Sequence, residues 1–262
     1  MTDLTPRTDG SGASGSKARI AAWAAGAAVV IFAIVLIAGA VHRHQLSDRL
    51  VVTDPDTVTS HPELVRYAEA LARPAYAANC ASCHGADMKG DQAKGAPNLS
   101  DRIWLYDFGG VGDLERTILY GIRSGNAKSR NITDMPAFGR TLQLSPDEVR
   151  DVTTFVLSLT TRQTDTAAIE RGSKIFQNKG SCYDCHSADA EGNPDYGSPA
   201  FTDKDWVYGG DEKTVYESIY SGRHGLCPAW IGKLKPAVIR ALAVYIHQVS
   251  HTEPAREGHA HG

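Results

Sequence analysis

Methionine is nearly absent from this 262-residue chain: Met1, Met88 and Met135 are the three, and none follows residue 135. No thioether side chain is therefore available anywhere after residue 135. Cysteine is scarce too. Cys80, Cys83, Cys182, Cys185 and Cys227 form two close pairs and one single residue, which does not read as a disulfide framework. No run of five Lys or Arg occurs, and 27 basic against 30 acidic side chains leave a formal charge of −3. That balance excludes a nucleic-acid surface. Strand-like alternation of useful length is missing, which removes the sheet-based classes and leaves all-α. With 42% hydrophobic and 22% charged residues, wholesale disorder is excluded as well.

What the chain does have begins near its N-terminus. Ile20 to Val41 is a run of 22 positions without a charge. At the rise of a helix it is about 33 Å long, enough for a bilayer core. A cleavable signal sequence is the rival reading, with Ala38-Gly39-Ala40 as its cleavage site. The run is longer than a signal core, and Val41-His42-Arg43-His44 follows it, so residues 20–41 are read as a retained transmembrane helix. Residues 1–19, with their Gly/Ser-rich stretch, are expected to be a disordered cytoplasmic tail. Arg7, Lys17 and Arg19 precede the span and Arg43 and Arg49 follow it, a bias of one charge toward a cytoplasmic N-terminus.

Beyond the span the sequence repeats itself. Cys80-Ala81-Ser82-Cys83-His84 returns as Cys182-Tyr183-Asp184-Cys185-His186 at an offset of 102, and Trp104-Leu105-Tyr106 returns as Trp206-Val207-Tyr208. Tyr120, Arg123 and Gly125 match Tyr220, Arg223 and Gly225 at 100. Met135-Pro136-Ala137-Phe138 matches Cys227-Pro228-Ala229-Trp230 at 92. Two homologous units, residues 67–160 and 167–251, are expected after a linker over 42–66, with a flexible tail over 252–262. Each reads as a few helices in long loops. Ser145-Pro146-Asp147-Glu148 is a capping box, with Val149, Val152, Val156 and Leu159 on one face behind it. The second unit closes with Val238, Leu242, Tyr245, Ile246 and Val249 at the same spacing. So few apolar residues make a poor core unless something large and apolar fills the middle.

The Cys-x-x-Cys-His motif names that filler. Two thiols one helical turn apart can bond to the two vinyl groups of a porphyrin, and the adjoining His then reaches the iron. Zinc would need four ligands from paired knuckles, and a dithiol redox pair would want a βαβ setting; neither is here. Two covalently bound haem c groups are expected, on Cys80 and Cys83 with His84, and on Cys182 and Cys185 with His186. Pro97 and Pro199 are placed to offer a carbonyl to the imidazoles. Trp104, Tyr106, Trp206, Tyr208, Phe138 and Trp230 are read as crevice walls, and Arg123 and Arg223 as propionate partners or solvated helix ends. Haem is attached to apocytochromes c on the outer face of the bacterial inner membrane, so both units are expected in the periplasm with the N-terminus cytoplasmic.

Met135-Pro136 is read as the distal ligand of the first haem, and Met88 as an exposed loop residue on the wrong side of the ring. In the second unit Cys227 stands where Met135 would align, with His224 three residues earlier. Three arrangements stay open there: Cys227 as thiolate or thiol, His224 as a second histidine, or an exchange of distal ligands between the units across a pseudo-twofold axis.

On these residues the chain resembles the membrane-anchored dihaem subunit, subunit III, of cbb3-type cytochrome c oxidases. The resemblance covers about residues 70–250 and is carried by Gly95-Ala96-Pro97-Asn98-Leu99, Trp104-Leu105-Tyr106, Val207-Tyr208-Gly209-Gly210, Gly222-Arg223-His224-Gly225 and Cys227-Pro228-Ala229-Trp230. The acidic stretch and Pro-Trp-Trp signature usual before that family's span are not found here. The resemblance implies two tandem class I cytochrome c domains behind one anchor. It implies an electron-transfer subunit, not an enzyme by itself, that passes electrons from a cytochrome bc complex or a soluble cytochrome c to integral haem-copper oxidase subunits. A free-standing membrane-anchored shuttle and a haem-based redox or gas sensor are the alternatives.

Overall fold

A computed structural model describes residues 12–252 of the chain. Among them the regular structure is helical, and the β-type pairings are isolated bridges. The tails expected over 1–19 and 252–262 fall outside the described residues, apart from residues 12–19 and Thr252, whose backbone is helical.

Helix α1 runs Gly12–Val52. It holds one segment, Ala22–Val52, long and apolar enough to cross a membrane. From Trp23 to Val41 its large side chains, among them Val29, Ile31, Phe32 and Ile37, are exposed, whereas Leu46 and Leu50 are buried. An apolar stretch that leaves these side chains exposed suits a non-aqueous surrounding. The helix outruns the 20–41 expected of it because residues 42–52 contain neither Gly nor Pro; the first breaker is Asp54-Pro55. The linker expected over 42–66 is thereby reduced to a short connection holding the 3-10 turn Val58–Ser60.

The remainder of the chain forms two lobes, each built from parts of both repeats. α2 (Pro62–Asn79), the single turn α3 (Ala81–His84) and α4 (Val111–Tyr120) come from the first repeat, and α5 (Pro146–Ser158) closes it. α6 (Thr166–Gln177), the turn α7 (Tyr183–His186), α8 (Glu212–Ser221) and α9 (Pro236–Thr252) are their counterparts in the second. α5, however, packs along α6 and α8, and α9 packs along α2 and α4. The closing helices have changed places.

Each exchange is sealed by apolar burial. Val149, Val152 and Val156 of α5 join Ile175 and Phe176 of α6 and Val215 and Ile219 of α8 in one core. On the other side α2 buries Leu64, Ala68, Ala72 and Tyr76, and α9 buries Ile239, Leu242, Val244 and Ile246. The single face expected for α9 is too narrow: Ala241, Leu242, Ala243 and Val244 are buried in succession, because α2 and α4 flank the helix. Arg240 of α9, itself buried, donates to Glu115 Oε2 (2.7 Å) and to the carbonyls of Leu50 (3.2 Å) and Thr53 (2.6 Å). A buried guanidinium is tolerable only when satisfied in this way.

Candidate functional site

The two Cys-x-x-Cys-His segments fold alike. Each is a single helical turn, closed by His84 N to Cys80 O at 3.0 Å and by His186 N to Cys182 O at 2.9 Å. That turn sets both thiols on one side and the imidazole next to them. His84 Nδ1–H donates to Pro97 O and His186 Nδ1–H to Pro199 O, both at 3.0 Å. A carbonyl can only accept, so the bond fixes the tautomer and leaves Nε2 as a free donor of its lone pair. Burial lowers the pKa of both histidines, against the opposing pull of the proline carbonyl, and favours the neutral imidazole that a metal requires. His186 also stacks on Phe201 at 4.3 Å, which in turn stacks on Trp206 at 6.0 Å.

The far sides of the two crevices are closed crosswise. Ile122, just past α4, exchanges backbone hydrogen bonds with Cys227: N to O at 2.9 Å and back at 3.0 Å. Arg223, just past α8, does the same with Met135 at 3.3 Å in both directions. Gly121 and Gly222, each at φ +73°, make this approach possible; a Cβ would run into the carbonyl of Cys227 in one case and of Met135 in the other. Trp230 N and Ile231 N continue the first seam onto Ile118 O and Leu119 O at 3.1 and 3.0 Å.

Cys227 therefore belongs to the crevice of Cys80, Cys83 and His84. Its thiol is pushed up to about 11, first by burial and then by its neighbour Cys83, and it feeds back on Cys80 in the same sense. Met135 packs into the other lobe, against the core that includes Phe176 and is flanked by Cys182, Phe201 and Trp206. This placement is opposite to the pairing of Met135 with His84 and of Cys227 with His186 expected from the sequence. The backbone brings each sulfur to the other unit's crevice, as the exchange, one of the three arrangements open on the sequence, would require. His224 turns away, exposed, with Nδ1 2.9 Å from Asp134 Oδ2. Met88 is corrected: it is buried, at φ +65°, on the proximal side, with Ala190 as its counterpart at φ +64°.

Sequence reasoning missed what Arg123 does. Its Nε donates to Gly225 O (2.6 Å) and its Nη1 to Thr133 O (3.0 Å), and Asp134 lies 3.4 Å away. One guanidinium holds the segment before Cys227 and the segment before Met135. Arg223 is different: it lies over the Tyr208 ring at 4.2 Å and donates to Ser218 Oγ at 2.9 Å. The repetition of Arg in both units was the available signal, but not its target.

Haem fits these residues. Each crevice offers two free thiols for covalent attachment and an imidazole left free at Nε2 for the iron. Trp104 Nε1 is buried without a hydrogen-bond partner, a donor that a propionate would satisfy.

Family models match both repeats. The cytochrome c family model matches residues 70–160, and the model for cytochrome c oxidase, cbb3-type, subunit III, matches residues 167–246. The cbb3-type cytochrome c oxidase subunit FixP of Bradyrhizobium sp. (strain ORS 278) is 43% identical over 195 residues, 73% of this chain and 64% of the relative. Subunit CcoP of Azospirillum brasilense is 36% identical over 206 residues, 76% of this chain and 68% of the relative. Subunit CcoP of Cereibacter sphaeroides is 34% identical over 202 residues, 77% and 68% respectively. The chain thus spans about two thirds of the length of the curated relatives it matches.

Proposed function

The chain belongs to the cbb3-type cytochrome c oxidase subunit III family, and on that premise we propose that it is a membrane-anchored dihaem relay of electrons. Its donor is a cytochrome bc complex or a soluble cytochrome c, and its acceptor the integral haem-copper subunits that reduce oxygen. The chain is an electron-transfer subunit and performs no catalysis alone. α1 spans the inner membrane once, with the N-terminus cytoplasmic and both lobes periplasmic.

The observation that carries this reading is the duplicated proximal geometry: two Cys-x-x-Cys-His turns, each with its imidazole held at Nδ1 by a proline carbonyl and free at Nε2. Cys80 and Cys83 would hold one haem c, with His84 proximal and Cys227 distal. Cys182 and Cys185 would hold the other, with His186 proximal and Met135 distal. Haem supplies a one-electron couple when bound. The chain supplies attachment, neutral imidazoles and a dry surrounding, and its distal groups set the two sites apart.

Purification of the tagged full chain from detergent-solubilised membranes tests this. Pyridine haemochrome and intact mass should agree on two covalent haems per chain, and haem-copper subunits should come down with it. One haem, or a chain that purifies without such subunits, would defeat the corresponding part of the reading.

A further inference from the structure

Two tyrosines reach across the boundary between the lobes, each into the other lobe's proximal loop. In the first lobe, Asp91 and Ala96 close a tight loop by exchanging backbone hydrogen bonds at 2.9 and 3.1 Å. Within it Gly95 sits at φ +64°, and a Cβ there would fall on the Tyr208 ring. In the second lobe, Asn193 and Ser198 close the same loop at 3.0 and 3.1 Å. Gly197 sits at φ +70°, and a Cβ there would fall on the Tyr106 ring. Glycine is needed at both places for the backbone sign and for the ring. Two residues after each glycine comes the proline whose carbonyl accepts from the proximal histidine. Gln92 Nε2 donates to Trp206 O at 3.0 Å, a further tie from the first loop to the strip that carries Tyr208.

We propose that Tyr208 is a positioning residue for His84, and Tyr106 for His186, each acting through the opposite lobe's glycine loop on the imidazole–carbonyl hydrogen bond. The bond strengthens as the carbonyl is pressed toward Nδ1, and a stronger bond makes the imidazole a better donor to iron. Each haem's potential is then set partly by a residue of the other lobe. A change in one lobe's packing is felt at the other's iron. The rings are themselves held: Arg223 lies over Tyr208 at 4.2 Å, and Arg130, paired with Asp107, lies over Tyr106 at 5.3 Å.

The proposal rests on the dihaem reading, so haem content is measured first on the full chain purified in detergent. Fewer than two haems in the wild type overturns both. With two present, His84→Ala and His186→Ala assign the two ferric low-spin EPR signals, each removing one. Potentiometric titration of those signals then compares Tyr208→Leu, Tyr106→Leu and their Phe counterparts. Tyr208→Leu is expected to displace the His84 haem by about tenfold in its redox equilibrium, equal to ~59 mV for one electron, and to leave the His186 haem in place. Tyr106→Leu is expected to do the reverse, and each Phe variant to shift its haem by much less than the Leu variant, since the ring stays and only the hydroxyl, which in Tyr208 also approaches Gly95 and in Tyr106 accepts from Arg123 Nη1, is lost. Gly95→Ala should act on the same haem as Tyr208→Leu. A shift confined to the tyrosine's own lobe, equal shifts of both haems, or no shift overturns the proposal. Should a Leu variant lose haem, peptide-resolved hydrogen exchange on the Phe and Gly95→Ala variants decides: unchanged protection of residues 84–99 in Gly95→Ala overturns it, and a local loss there supports it.

Discussion

Ile122 and Cys227 exchange both of their backbone hydrogen bonds, although one belongs to the first repeat and the other to the second. Arg223 and Met135 mirror them in the opposite sense. These four residues turn two repeats that are separate in sequence into two lobes that share their distal walls. The thiol and the thioether are each delivered to the other unit's crevice.

Crossed delivery makes the distal variants informative. Met135→Ala should abolish the long-wavelength sulfur-to-iron absorption and change the EPR signal assigned to His186, leaving that of His84 intact. Cys227→Ala should change the signal assigned to His84. If Met135→Ala alters the His84 signal instead, the ligands are not exchanged.

The order of the potentials follows from the same exchange. A thioether favours the reduced iron, whereas a sulfur that becomes thiolate on binding adds negative charge and favours the oxidised iron. The His186 haem is therefore expected to be the high-potential station and the His84 haem the low one, opposite to a pairing within each repeat. Even ~120 mV between them would bias an electron about a hundredfold. Cys227→Met should raise the lower potential and bring the two together. A titration in which the His84 haem is the higher one would refute the assignment.

The proximal half of this site was legible because its geometry is local. Cys-x-x-Cys-His fixes one turn, and the acceptor proline lies 13 residues beyond the histidine in both repeats. The distal half was not. Homologous repeats present interchangeable closing helices, so either α5 or α9 satisfies the pattern of either crevice. Its helical faces say only that α5 is buried, with Val149, Val152 and Val156 inward, and not against what. A topological hint was present: only residues 159–165 separate α5 from α6, and elements joined so closely tend to pack together. Met88 was misjudged for another reason. Its four-residue distance from His84 gave its side of the ring but not its burial, which depends on Leu99 N reaching back to Met88 O at 2.7 Å.

The start of α5 should be sensitive to acid. Ser145 Oγ accepts from Glu148 N at 3.3 Å, and Glu148 Oε2 accepts from Ser145 N at 2.8 Å and from Lys179 Nζ at 2.8 Å. Lys179 first, and the Ser145 backbone next, hold the Glu148 carboxyl below its ordinary value. A lowered carboxylate pKa contributes stability that is present above the unfolded value and is lost as pH falls through the folded one. Ser145→Ala should cost about 1 kcal/mol in denaturant unfolding followed by far-UV circular dichroism. Glu148→Gln should destabilise at pH 7 and flatten the loss that the wild type shows below its carboxylate range. An unchanged acid profile in Glu148→Gln would remove this box from the explanation.

Arg123 is the residue whose loss both crevices should feel. It is nearly buried, at 13% exposure, and sits at φ +49°, a conformation held by what its side chain grips. Gly225 O lies two residues before Cys227, and Thr133 O two before Met135, so one side chain restrains both sulfur-bearing segments. Each hydrogen bond to a charged group is worth about 1.5–3 kcal/mol, and the carbonyls left behind are partly desolvated. Arg123→Ala is therefore expected to lower unfolding stability by about 3 kcal/mol. It should also broaden the EPR signals of both haems, because neither distal segment keeps a single position. Arg123→Lys keeps the charge but has no planar fork to span two carbonyls, so it should recover little. Arg223→Ala, whose side chain rests on Ser218 and on the Tyr208 ring, should disturb one haem far more than the other. Equal, small effects of Arg123→Ala and Arg223→Ala would show that the exchange is held by its backbone seams alone.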